Sequence, residues 1–335
     1  MLAAKDGSGN PGLFMALRNG HAEAVATFTT AVLNDTTLEP KQKIELLAAK
    51  DCDGNPGLFM ALLDRHAQTV ADTVLEPKQE LELLAAKDGV GNPGLFIALQ
   101  EGDTEDVAIF SIAILNDTIL EREEKLELLA AKNCAGTPGL FMALQNGHAD
   151  AVAIFTSAVL NDTTLEPKQK LELLATKDSD GTPGLFIALQ NGHTESVAAF
   201  IIKIVESESL TNKEKFKLLI AKNINGTPGL FMALQQGHAD AVELFVIIVL
   251  EHSTFQSKQK LELLAARNNK DISGLFMASK NQHSNTIDIF INLINKDKIL
   301  TPEQKEKLTT CKDNKPTHSL LQERIYRQFN KTNSG

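Results

Sequence analysis

Six histidines recur at one place in a repeated sentence: His21, His66, His148, His193, His238 and His283, with Asp103 standing where a seventh would fall. A row of imidazoles can relay protons or hold metal ions, so it is the first candidate for chemistry. Zinc, however, needs ligands that converge within about 2.0–2.3 Å of one ion, and helical layers stack about 10 Å apart. One histidine per layer cannot share an ion with the next. The row reads instead as helix-start residues that hydrogen-bond nearby backbone. The turns "DCDG" (Asp51 to Gly54) and "DSDG" (Asp178 to Gly181) begin like a calcium loop. The glutamate such a loop needs at its twelfth position is missing, and Gln190 follows Asp178 at the comparable distance. Aspartate and glycine are ordinary turn residues, and that is the reading taken.

Cys52, Cys134 and Cys311 fit no zinc spacing. Cys52 and Cys134 occupy the same place in two repeats with one repeat between them, so about 20 Å would separate them, beyond disulfide reach. All three read as free thiols. No glycine-rich phosphate loop, nucleophile elbow or paired-carboxylate arrangement stands out. The expectation is therefore no metal, no cofactor and no catalysis in this chain. The stripe Phe28, Phe110, Phe155, Phe200, Phe245 and Phe290 has the spacing of a ligand slot, but among valines and isoleucines at helical intervals it reads as core.

The elements that would carry these residues follow from the repeat. The glycine before Leu-Phe falls at Gly12, Gly57, Gly94, Gly139, Gly184, Gly229 and Gly274, in steps of 45 except for one of 37. Units at one period predict a solenoid in which each buries its face against its neighbours. The fold class expected is all-α: a single array over 1–335, with units beginning near 10, 55, 92, 137, 182, 227 and 272. Residues 301–335 read as a C-terminal cap and tail. Each unit reads as three helices. In the first, Thr137 or Asn92 is the N-cap, Pro holds the first helical position, and Gly147 is the left-handed C-terminal cap. The second carries Val152, Phe155 and Val159. The third opens at Pro167 on a Leu171/Leu174 stripe, with Lys168, Gln169, Lys170 and Glu172 on a solvated face. Thr211 and Glu214 form a capping box at the equivalent start.

The second unit is shorter by eight residues, 37 against 45, between Val70 and Pro77. Eight residues make about 12 Å of helix, so its second helix should lose about two turns. Thr73 stands where other units have Phe. The layer at 57–87 is expected to be the weakest. The opening "MLAAKD" matches the end of a third helix, which reads as an array entered in mid-unit, with more protein before it.

Composition bounds the rest. Of 335 residues, 43% are hydrophobic, and the net charge is −10. An acidic surface repels phosphate backbones, so nucleic acid is excluded as a partner. No apolar run approaches the roughly 20 residues of a membrane helix, and no signal peptide opens the chain.

The stretch "DGTPGLFIALQNGHTESV" (Asp180 to Val197) resembles the ankyrin repeat through Gly181, Thr182, Pro183, Leu185, Ala188, Gly192, His193, Glu195 and Val197. It departs from that pattern in a glycine inserted after Pro183, in Phe186 where the family has His, and in its longer period. That length also suits HEAT or armadillo units. The ankyrin resemblance implies protein–protein recognition and no catalysis. Near-identical units with an Asn/Lys-rich tail also resemble effector proteins that intracellular bacteria deliver into host cells, which implies a soluble, monomeric protein acting in host cytoplasm.

Positions that differ between copies are the candidates for partner binding. One zone ends the first helix: Arg18, Asn19, Leu63, Asp64, Arg65, Gln100 and Glu101, with Asp103 beside it. The other is the turn tip, where Val90 and Ile224 are apolar. The expected function is a non-catalytic protein-binding scaffold. The alternative is the targeting or substrate-recognition region of a larger enzyme whose catalytic part precedes it.

Overall fold

The computed structural model describes residues 5–39, 42–43, 46–47, 49–50, 57, 87–117 and 120–309. The shortened second helix after Val70, Cys52, Cys311, His66 and the tail beyond 309 lie outside these residues. Among the described residues the fold is all-α, with no strand. The chain divides into two compact groups, one of Met1–Ala143 with Ser157–Leu165, the other of Leu144–Thr156 with Glu166–Gly335.

One unit of the second group illustrates the folding logic. Its entry turn is closed by a single antiparallel bridge between Lys177 and Pro183. Inside it, Asp178 Oδ1 accepts the N–H of Asp180 at 3.0 Å and of Thr182 at 2.8 Å. The carboxylate is committed to its own turn, which is the ordinary use of an aspartate before a glycine. Pro183, with φ −71° and ψ 146°, is the N-cap of helix Gly184–Asn191. The sequence placed proline one position later, inside the helix. Its extended ψ puts it outside, so the helix starts on the glycine. Gly192, at φ 74°, ends the helix in the left-handed conformation that glycine adopts without penalty.

Helix Thr194–Glu206 follows, burying Val197, Phe200 and Ile204 at three-and-four spacing. Thr211 then closes a capping box with Glu214 and starts helix Asn212–Leu219. Pro167 does hold the first helical position of helix Pro167–Leu174, behind a Glu166–Gln169 capping box. In the last full unit Ser273 replaces the N-cap proline, and its hydroxyl accepts the N–H of Phe276 at 3.1 Å. That bond is a side-chain cap that the prolines at this position do not make.

Within the second group, helices pack like on like. First helices Gly184–Asn191, Gly229–Gln236 and Gly274–Lys280 lie side by side, as do second helices Thr194–Glu206, Ala239–Glu251 and Ser284–Lys296. Phe155, Phe200, Phe245 and Phe290 are fully buried. In the first group Phe110 is buried and Phe28 half-buried.

The third helix corrects one expectation. Lys170 is not on a solvated face but buried at 4% exposure, while Leu171 is half-buried. The buried stripe is Lys170, Leu173 and Leu174. A lysine can enter it because its long apolar stem crosses the core edge.

Candidate interaction surface and the seams beneath it

Three kinds of contact join the elements, and each repeats. The first is made by glycine. A Cβ added at Gly57, Gly139, Gly229 or Gly274 would come within 2.8–3.1 Å of the Phe14, Phe96, Phe186 or Phe231 Cα. It would come equally close to Cδ1 of Leu17, Leu99, Leu189 or Leu234. The helix can lie this near the preceding first helix only because the residue lacks a side chain.

The second contact is the histidine row. The expectation of a bond to nearby backbone is overturned. His193 and His238 start their helices without a side-chain cap bond. His193 Nε2 instead donates to the carbonyl of Gln145 at 2.9 Å, and His238 Nε2 to that of Gln190 at 2.8 Å. Since a carbonyl only accepts, the proton is on Nε2 in both rings. The Nδ1 edge lies on the preceding glycine: a Cβ at Gly147, Gly192 or Gly237 would come within 2.8, 2.5 or 2.4 Å of Nδ1 of His193, His238 or His283. The ring occupies the space a side chain there would need. Gln235 O, one register on, accepts instead from Asn281 Nδ2 at 2.8 Å. Among the described residues no three His, Cys, Asp or Glu side chains gather to hold a metal ion.

The third contact was not foreseen. Lys125 Nζ donates to Leu115 O at 2.9 Å, Lys215 to Val205 O at 2.8 Å, and Lys305 to Asn295 O at 2.8 Å. Lys260 donates to Leu250 O in the same way. Each acceptor lies ten residues back, at the penultimate position of a second helix, where carbonyls have no intrahelical partner and the helix end is electronegative. Burial lowers the Lys215 ammonium below the ordinary lysine range, opposed by the Glu208 carboxylate. The same holds for Lys260, opposed by Asp297. The signal was in the sequence: a lysine recurs at one register, Lys43, Lys125, Lys170, Lys215, Lys260 and Lys305, in every unit but the second.

The predicted binding positions divide. Arg18 and Asn19 are exposed, and Asn19 Nδ2 donates to Met15 O at 2.7 Å. Gln100 Nε2 donates to the Glu101 carboxylate at 3.0 Å. Asp103 is half-buried and caps helix Thr104–Asn116 by accepting the Asp106 N–H at 3.3 Å. Leu63, Asp64 and Arg65 lie outside the described residues. At the equivalent register Asn191 Nδ2 donates to Gln145 O at 3.1 Å, so part of this variable zone serves the seam. Among the described residues the turn tips carry the most open large apolar side chains: Val90 is 69% exposed and Ile224 74%. Ile224 Cγ2 still lies against the preceding turn, where a Cβ at Gly181 would come within 2.9 Å of it. Cys134 at another tip is an exposed free thiol. No helix among the described residues is long and apolar enough to cross a membrane. No protein-family model matches the chain, and no curated protein does.

Proposed function

We propose that the chain is a non-catalytic protein–protein interaction scaffold: a helical solenoid of ankyrin-like units whose variable turn tips and first-helix ends meet a protein partner. The observation that carries this reading is the division of labour within a unit. Glycine, histidine and lysine recur at fixed register and are used up in holding neighbours together. The tips vary from copy to copy, and two of them hold out an aliphatic side chain, Val90 and Ile224, at 69% and 74% exposure. Each is a single aliphatic group that a partner could cover, although Ile224 also lies against the preceding turn. The acidic balance supports a protein rather than a nucleic acid as partner, and the scaffold acts as a soluble monomer. Its setting is a bacterial effector acting in host cytoplasm.

The test places a photo-crosslinking residue at Val90 or Ile224 and compares captured proteins with those from Val90→Asp and Ile224→Asp chains. A partner lost in the Asp variants while unfolding midpoints stay unchanged supports the scaffold. Equal capture by all chains, at these tips and at Arg18, sinks it.

A further inference from the structure

The seams have an open edge. At Gly57, Gly139, Gly229 and Gly274 a Cβ would strike the first helix of the unit before. Gly12 stands at the same register and opens helix Gly12–Arg18, but a Cβ there would meet nothing within 4 Å among the described residues. It is exposed, where the other four are buried. The same edge continues on helix Ala22–Asn34. His21 starts that helix without a side-chain cap bond, as His193 and His238 start theirs, yet it is exposed where they are half-buried. Asn19 shares the register of Asn191 and Asn281, whose amides donate across a seam to Gln145 O at 3.1 Å and Gln235 O at 2.8 Å. Its own amide turns back to Met15 O. Ala24 is exposed, while Ala151, Ser196 and Ala241 at its register are buried. Phe28 is half-buried, while Phe155, Phe200 and Phe245 are fully buried. Five positions carry the residue types of a seam without its burial.

We infer that the edge bearing Gly12, Asn19, His21, Ala24 and Phe28 is a docking face for one further unit of this same repeat, with a first helix that ends Leu-Gln-x-Gly. The internal seams dictate that ending. Its leucine is the Cδ1 that a seam glycine passes, as at Leu99, Leu189 and Leu234. The next residue supplies the carbonyl that the imidazole reaches, as at Gln145 and Gln190. The closing glycine leaves room for the ring, as at Gly147 and Gly192. The seventh unit of a second copy does not offer this edge. There the sequence is Ser279-Lys280-Asn281-Gln282, and Gln282, at φ 64°, carries a side chain at the register the ring needs empty. The face continues seams already described, and it stands whether or not the turn tips bind anything.

The test joins a copy of residues 139–172 ahead of Met1 of the full chain. The copied Gly139 then precedes Gly12 by 45 positions, and the copied Gln145 precedes His21 by 48, as in the internal units. Amides of Ala22–Asn34 should exchange about tenfold or more slower in the extended chain than in the original. His21→Ala and Gly12→Leu should each lower the urea midpoint of the extended chain and should not lower that of the original. Exchange of the added residues at unstructured rates, or equal effects of the substitutions in the two chains, overturns the inference. Should Gly12→Leu keep the extended chain from folding, His21→Ala decides by the same comparison. If a second copy covers the edge instead, light scattering of the original chain will report a dimer that Gly12→Leu dissolves, and the assignment to a further repeat unit is wrong.

Discussion

His238 sets its Nδ1 edge against Gly192, with Nε2 bonded to Gln190 O at 2.8 Å and Nδ1 only 2.5 Å from where a Cβ of Gly192 would be. The ring fills the missing side chain of a residue 46 positions earlier, so neither residue can change without the other. Gly192→Ala should therefore cost more than strain alone. Gly226 provides the control, since it has a similar φ of 69° but meets nothing nearer than Asn269 Cβ at 3.8 Å. Both substitutions incur about 1 kcal/mol or more for an alanine at positive φ. Gly192→Ala should exceed Gly226→Ala by a further ~1 kcal/mol in urea unfolding, and His238→Ala should erase that excess. Equal costs would mean the ring does not press on the glycine.

Lys215 gives a pH dependence of defined sign. Burial holds its folded pKa below 10.5, so between the folded value and 10.5 the unfolded chain binds more protons. Stability should rise with pH across that window relative to a Lys215→Met chain, opposite to a lysine held in a salt bridge. The neutral amine still donates to Val205 O. At neutral pH, Lys215→Met should destabilise by about 1–3 kcal/mol, because that carbonyl is left unpaired. NMR titration of the lysine side-chain methylenes reads the shift directly; an ordinary lysine value for Lys215 removes the basis of this prediction.

Among the described residues four buried hydroxyls lack a hydrogen-bond partner, on Ser111, Thr156, Thr176 and Ser196, and two of them make a test. Thr156 Oγ1 and Ser196 Oγ are buried without a hydrogen-bond partner. At the register of Thr156 the three following units carry Ile201, Val246 and Ile291, though Thr29 and Ser111 stand there in earlier ones, and at that of Ser196 the adjacent units carry Ala151 and Ala241. Thr156→Val and Ser196→Ala should each raise stability by about 1 kcal/mol. A fall in thermal midpoint for both would show that the hydroxyls are satisfied.

Arg65 replaces the seam glycine in front of the one unit that carries Asp103 instead of histidine. Paired replacement predicts coupling. Arg65→Gly and Asp103→His should each destabilise, and together they should cost less than either alone. Strict additivity in a double-mutant cycle would show that the two positions are not coupled.

The helices and their aromatic core were legible in the sequence because periodicity reports burial directly: Val197, Phe200 and Ile204 mark one face. The seams were not, for a physical reason. His193 was read against its sequence neighbours, since helix-start histidines often bond there, whereas its partner lies 48 residues back at Gln145. Lys170 was read as solvated because charge normally means water, but repeated lysines at one register carried a second message. Asn191 varies between copies and yet bonds Gln145 O, so variability alone did not separate surface from seam.

The ten-residue reach from Lys215 to Val205 O, repeated by Lys125, Lys260 and Lys305, also bears on how such a gene can lengthen. A duplication of one whole period carries donor and acceptor together and leaves every bond closed, whatever the breakpoint. A deletion inside a period separates them. The unit of 37 residues is eight residues shorter in sequence, and at the lysine register it carries Glu80. Recombination between near-identical copies is thereby steered toward whole-unit gains, and the single fractional loss is accompanied by the change of donor that such a loss would permit.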